Sequence, residues 1–144
     1  FISDSVYYSG KHSYKMDSLH EWAPAFSCPL DSITISNNDF IEVSLKLYPL
    51  EKLTDIEIVS EIKSGGETVD WRSTPVTKCL PDTLLKQWAS AYHAIKLSDI
   101  SVNRSVARVS IYIWNKGKKN FYMDNFSVKT VKGNPIIYGL INKI

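Results

Sequence analysis

The sequence lacks the features that mark several large classes of protein. No apolar run approaches the roughly 20 residues that a helix needs to cross a bilayer, so no membrane span is expected. Seventeen basic residues against fifteen acidic ones leave a formal charge of +2, too little for a nucleic-acid surface. The one dense basic run, at Lys116, Lys118 and Lys119, is typical of a solvated hairpin turn. We therefore expect neither a membrane span nor a nucleic-acid partner.

Cysteine is almost absent. Cys28 and Cys79 are the only two, and no CxxC pair typical of a zinc site accompanies them. A disulfide between them would require Cα atoms within about 7 Å of each other. Two interpretations stay open: two buried free thiols, which we favour, or one bridge.

Catalytic motifs are missing as well. His12, His20 and His93 are scattered, and the sequence contains no nucleophile elbow, phosphate-binding loop or HExxH motif. A glycosidase needs only two suitably spaced carboxylates, but the acids here fall mostly at outward strand positions, where solvation is their usual role. We expect no enzyme activity from this segment, and keep a small hydrolase as an alternative.

What the sequence does contain is a period-two alternation of apolar and polar residues. In 40–48 it places Ile41, Val43, Leu45 and Leu47 on one face, which predicts a strand with one buried side. Similar patterns and turn signals predict further strands at 55–63, 67–73, 105–114 and 121–131. Weaker strands are predicted at 12–17, 31–36 and 89–97.

Seven or eight short strands without helical periodicity predict an all-β, jelly-roll-like antiparallel β-sandwich. A length of 144 residues and the lack of a linker-like segment favour a single domain over 1–144. We expect the core sandwich at about 8–131 and either an edge strand or a tail at 132–144.

Three segments, in order, resemble the jelly-roll carbohydrate-binding modules of families 4, 9 and 22, which are galactose-binding-like β-sandwiches. Residues 8–16, YSGKHSYKM, are similar to the early SGKYSLKV strand of those modules. Trp88 followed by Lys96-Leu97-Ser98 is similar to their Trp-containing segment. Residues 111–115, IYIWN, and 121–126, FYMDNF, are similar to their closing pair of strands.

The resemblance implies a non-catalytic domain that binds a polysaccharide or oligosaccharide, in a secreted, periplasmic or cell-surface protein. It also implies that Trp88 packs in the core. The sequence starts at Phe1 without Met or a signal-peptide pattern, so we expect a mature or trimmed part of a larger polypeptide.

A structural calcium ion is a second implication of the resemblance. Asp124 corresponds to the acid that helps to hold calcium in similar modules, and the ion needs six to eight oxygen ligands. Asp4, Asp17 and backbone carbonyls would have to supply the others. The alternative is that Asp124 accepts backbone hydrogen bonds.

Sugar recognition needs an aromatic ring against the apolar face of a pyranose and polar groups for its hydroxyls. Arg108, Tyr112 and Trp114 share the outer side of the strand at 105–114, where the two rings would form a stacking platform and the guanidinium a donor. Trp71 and Trp22, the latter in a loop, are further candidates. The alternative is that these rings are buried, and that the domain is a structural or protein-interaction β-sandwich of a larger exported protein.

Overall fold

The computed structural model describes residues 2–3, 5–6, 8–81 and 83–132. Within them the chain forms nine strands: β1 Ile2–Ser3, β2 Ser13–Met16, β3 Phe26–Pro29, β4 Phe40–Pro49, β5 Ile56–Ser64, β6 Glu67–Pro75, β7 Ala89–Lys96, β8 Ala107–Asn115 and β9 Phe121–Val131. Four 3₁₀ helices lie between them: Leu30–Ser32, Val76–Lys78, Leu97–Asp99 and Arg104–Val106. None of the helices in this described part is long and apolar enough to span a membrane.

The strands form two antiparallel sheets. The five-stranded sheet has the order β1-β2-β9-β4-β7, and the four-stranded sheet has the order β3-β8-β5-β6. Most neighbours within each sheet are distant in sequence, which is the arrangement of a jelly roll. The predicted all-β, jelly-roll-like sandwich is confirmed.

The core lies between the inner faces of the two sheets. Ile41, Val43, Leu45 and Leu47 of β4 are at most 2% exposed, as the alternation predicts. Their partners across the core include Ile58, Ile62 and other buried residues of β5 and β8. Burial of apolar area in this layer is the main force that joins the sheets.

The strand predicted at 31–36 is wrong. Leu30–Ser32 forms a 3₁₀ helix, and the strand of this region is β3, at Phe26–Pro29. The Thr34 hydroxyl donates to the Leu30 carbonyl, and the Asp39 carboxylate accepts from the amides of Ile35 and Ser36. Side chains thus satisfy the backbone groups that a strand would pair with a neighbour.

The two cysteines are free thiols, and both are half-buried. The prediction for 132–144 lies outside the described residues, except for Lys132, which follows β9 without strand structure.

Candidate functional site

Four aromatic rings meet on the outer face of the four-stranded sheet, and we call Trp22, Trp71, Tyr112 and Trp114 the Trp114 patch. Trp22 stacks on Trp114 with ring centroids 5.1 Å apart and planes at 7°. Tyr112 meets Trp22 edge-on at 5.6 Å, and Trp71 meets Trp114 edge-on at 6.4 Å. The structure therefore brings together the four rings that the sequence predicts as sugar contacts.

The loop before β3 holds Trp22 in place. Trp22 forms a backbone bridge with Trp114, and the amide of Ala23 donates to the carbonyl of Ile113. The Asn115 side-chain amide donates to three carbonyls that surround it, those of Asp17, His20 and Lys119. Asn115 is fully buried, so these bonds fix the loop that carries Trp22.

Trp114 is not an open platform, because one face of its ring is covered by Trp22. Lys116 Nζ also lies 5.0 Å from the ring centroid. The indole Nε1 of Trp114 is buried and has no hydrogen-bond partner within the described chain. The rings that remain accessible in the patch are Trp22, 50% exposed, and Trp71, 45% exposed.

Arg108 does not belong to the patch. It lies at the other end of the outer row of β8, where it lines a depression of about 230 Å³ together with Gly65, Gly66 and Lys63. Whether Arg108 or the patch contacts a sugar stays a prediction.

A groove of about 870 Å³, which the sequence did not predict, opens on the outer face of the five-stranded sheet at β4 and β7 and reaches His93 and Thr74 at the β7 edge. Within it Ser44 of β4 lies opposite Tyr92 of β7, and on its other side Ser44 faces Ser127 of β9, which lines the adjoining depression. In the next row Glu42 of β4 lies between Ala94 of β7 and Lys129 of β9. A smaller depression of about 270 Å³ shares Ser44 and Tyr92 and continues to Lys46, Ser90 and Asn125.

Tyr92 provides the aromatic ring of this groove. It is 60% exposed, more than either accessible ring of the Trp114 patch. The hydroxyls and amide around it, from Ser44, Ser127 and Asn125, are small polar groups that can bond to sugar hydroxyls. Glu42 and Lys129 form an ion pair at 3.7 Å, so charge in this row is balanced.

The N-terminal segment, here Tyr8 and Ser9, lies across the sheet beside this groove. The Asp124 carboxylate of β9 accepts from the amides of Tyr8 and Ser9 at 2.8 and 3.1 Å. The Ser9 hydroxyl donates to the Asn125 side chain at 2.6 Å. Lys46 Nζ, on β4, lies 4.7 Å from the centroid of the Tyr8 ring. Tyr8 thus reaches from β9 over β4.

Beyond Tyr8 the sheet carries a second set of rings. Tyr8 meets Trp88 edge-on at 5.7 Å, Trp88 meets Tyr48 at 5.3 Å, and Tyr48 meets Tyr122 at 6.0 Å. The prediction that Trp88 packs in the core is wrong, because it is half-buried in this outer cluster, immediately before β7. Its ring links β7 to the N-terminal segment.

The residues around Asp124 do not fit a calcium site. Its carboxylate accepts three backbone amides, those of Tyr8, Ser9 and Asn125, so its oxygens face N–H donors. Asp17 instead bonds to His20 and the Leu19 amide, and Asp4 lies outside the described residues. No group of three His, Cys, Asp or Glu side chains that could hold a metal ion occurs in the described ranges.

His93 joins the two sheets behind the groove. The imidazole is 5% exposed and bonds to the hydroxyls of Ser60 and Thr74, each at 2.8 Å. Burial, assisted by the positive charge of Arg72 and opposed by Asp70, lowers the pKa of His93 from 6.5 to about 4. The ring is therefore neutral at physiological pH, with each nitrogen bonded to a hydroxyl.

The chain matches no protein-family model and no curated protein sequence. Its fold is similar to that of the CBM22-1 xylan-binding domain of Xyn10C from Paenibacillus barcinonensis, with a TM-score of 0.57 and 15% identity over 92% of this chain and 81% of that one. A xylan-binding domain from CBM22 gives 0.52 and 14% over 93% and 82%. A family 16 carbohydrate-binding module gives 0.52 and 10% over 88% and 82%. The chain has the β-sandwich fold of carbohydrate-binding modules.

Proposed function

We propose that this chain is a non-catalytic glycan-binding domain and that the glycan lies in the groove of the five-stranded sheet. The observation that carries the proposal is the exposed Tyr92 ring in a groove of about 870 Å³, with the Ser44 hydroxyl beside it and those of Ser90 and Ser127 in the adjoining depression. An aromatic ring against the C–H face of a sugar, with polar groups for its hydroxyls, is the minimum that recognition requires.

The fold supports the same function. Two of the similar structures are described as xylan-binding domains, which makes xylan the first ligand to test. As the resemblance to carbohydrate-binding modules implies, the domain would belong to a larger protein that is secreted, periplasmic or on the cell surface.

The lining of the groove supports binding without catalysis. Hydrolysis of a glycosidic bond normally needs two carboxyl groups on either side of it. Among the described residues that line the groove, Glu42 is the carboxylate, and it is paired with Lys129. Asp124, at the end of the groove, has its oxygens bonded to backbone amides.

Affinity electrophoresis in gels that contain soluble xylan, mixed-linkage glucan, mannan or galactan tests the proposal. We expect at least one polysaccharide to retard the protein. The replacement Tyr92→Ala should remove this retardation because it deletes the stacking ring. Trp71→Ala is the matched control, since it deletes an exposed strand ring from the opposite sheet.

The outcomes separate the two faces. Loss of retardation in Trp71→Ala, with Tyr92→Ala unaffected, would move the site to the Trp114 patch. No retardation of the folded protein by any of the polysaccharides would contradict glycan binding and favour the second candidate, a protein-interaction β-sandwich. The observation behind that candidate is the pair of exposed rings in the patch, Trp22 and Trp71, held on a fixed loop and a strand.

A further inference from the structure

One end of the groove is closed. Along β4 the outward residues Glu42, Ser44 and Lys46 mark successive rows of the floor, and Lys46 lies opposite Asp124 of β9. Asp124 is the residue that anchors the backbone of Tyr8 and Ser9. The N-terminal segment therefore passes over the floor at the Lys46 row.

The closure spans the width of the central strands. From its anchor on β9, the Tyr8 ring lies over Lys46 of β4 and contacts Trp88, which leads into β7. Tyr48 and Tyr122, the next outward pair of the floor, are occupied by contacts with each other, and Tyr48 also packs on Trp88. A sugar chain that follows the floor from Glu42 meets a wall of rings after the Lys46 row.

Specific hydrogen bonds hold this wall of rings in place. Two backbone amides and one serine hydroxyl fix it to Asp124 and Asn125, and a carboxylate that accepts backbone amides makes strong, charge-assisted bonds. Asn125 adopts a positive φ of 53°, at the point where the pairing of β9 with β4 shifts register. Successive side chains of a regular strand point to opposite faces, and at this bulge both Asp124 and Asn125 reach the segment.

We infer that the groove binds the end of a glycan chain and not its interior, an inference that rests on the proposed function. The terminal sugar would lie against Tyr8, which is 45% exposed, with Lys46 and Ser90 beneath it and the next sugar on Tyr92. The chain would leave past Glu42 and Lys129. A polymer could not pass through, because Tyr8 and Trp88 occupy its path.

Titration calorimetry with xylohexaose and with soluble xylan of known chain length tests this inference. If another polysaccharide retards the protein, its hexasaccharide and the polymer itself replace the two xylan ligands. We expect one protein molecule bound per polymer chain, whatever the length of that chain. When the polymer concentration is expressed as moles of chains, its Kd should equal that of the hexasaccharide. Several proteins bound per chain would overturn end recognition while leaving glycan binding intact. If none of the polysaccharides binds, the proposed function itself fails.

The replacement Asp124→Ala tests the wall directly. Loss of the anchor should free the N-terminal segment, open the groove and raise the number of proteins bound per chain above one. Asp55→Asn is the control, because it also removes one carboxylate, from an exposed turn residue with a φ of 60°, which Asn tolerates. If Asp124→Ala does not fold, Tyr8→Ala should have the same effect on stoichiometry. An unchanged ratio of one in a folded variant would contradict the role of the segment.

Discussion

Trp114 illustrates what a residue's sequence position predicts and what it does not. The alternation along β8 predicts that Trp114 faces outward, and it does. It does not predict that Trp22, 92 residues earlier, lies on its ring, because that contact depends on a loop. The stack covers one face of the Trp114 ring, so that face is closed to a sugar.

Val59 is a residue whose burial the alternation does not predict. It occupies an outward position of β5, opposite Tyr112 and Ser73, yet it is completely buried. Its cross-strand partner Tyr112 belongs to the Trp114 patch, so the outer face of this sheet also holds an apolar side chain that is shielded from solvent. Period-two patterns assign a face to each residue but not the burial of that face.

His93 should make the domain sensitive to acid. Its pKa of about 4 lies below the 6.5 of the unfolded chain, so the native state binds fewer protons in that interval. The contribution is fully present above pH 6.5 and is lost as the pH falls toward 4, by up to about 3 kcal/mol. Urea denaturation between about pH 7 and pH 4 measures this loss in the free energy of unfolding.

The control for this prediction is His93→Gln, which cannot titrate but can bond to one of the two hydroxyls. It should be less stable than the parent at neutral pH and should show a weaker dependence on pH over the same interval. Equal pH dependence in the two proteins would mean that other groups, such as Asp17 and Glu51, whose pKa values are also lowered, cause the loss.

At the scale of elements, the long strands and the short β2, predicted at 12–17, could be read from the sequence, whereas the short β1 and β3 could not. Strands β4, β5 and β8 carry clear alternation, and the Gly65-Gly66 turn between β5 and β6 has positive φ at both glycines. The segment at 31–36 also has an alternating pattern, but the Asp39 carboxylate accepts from two of its amides, and the Thr34 hydroxyl donates to the Leu30 carbonyl just before it. Local hydrogen bonds of this kind can override a weak strand preference.

The loop that carries Trp22 should depend on Asn115. The replacement Asn115→Ala removes a buried amide that serves three carbonyls and accepts from the Lys119 amide. Since the His20 and Lys119 carbonyls would lose this donor, while the Asp17 carbonyl keeps the His20 amide, we expect a loss of about 2–3 kcal/mol in the free energy of unfolding, measured by urea denaturation. The fluorescence of Trp22 should also report a looser stack.

Asn120→Ala is the matched control for this loop. Asn120 lies in the same hairpin turn, but among the described residues its side chain bonds to the Glu51 carboxylate alone, at 2.7 Å, in a partly exposed position. We expect a change of less than about 1 kcal/mol. Similar losses in the two variants would contradict a special role of Asn115 in holding the loop.

At the scale of the whole molecule, the jelly roll was predictable but the groove was not. Strand number and the ordered resemblance predict the sandwich. The groove needs β4, β7 and β9 side by side, and these strands begin at Phe40, Ala89 and Phe121. Only their register places Ser44 between Tyr92 and Ser127. The choice of sheet therefore could not follow from aromatic content, which directed the prediction to Tyr112 and Trp114 on the opposite face.

The most direct test of glycan binding in the groove is a titration of the ¹⁵N-labelled domain with xylohexaose, or with the oligosaccharide of whichever polysaccharide retards it, followed by amide chemical shifts. We expect the largest changes at Ser44, Tyr92, Ala94 and Ser127, with little change at Trp22 and Trp71. Changes confined to the residues of the Trp114 patch, or no change at saturating sugar, would contradict the account.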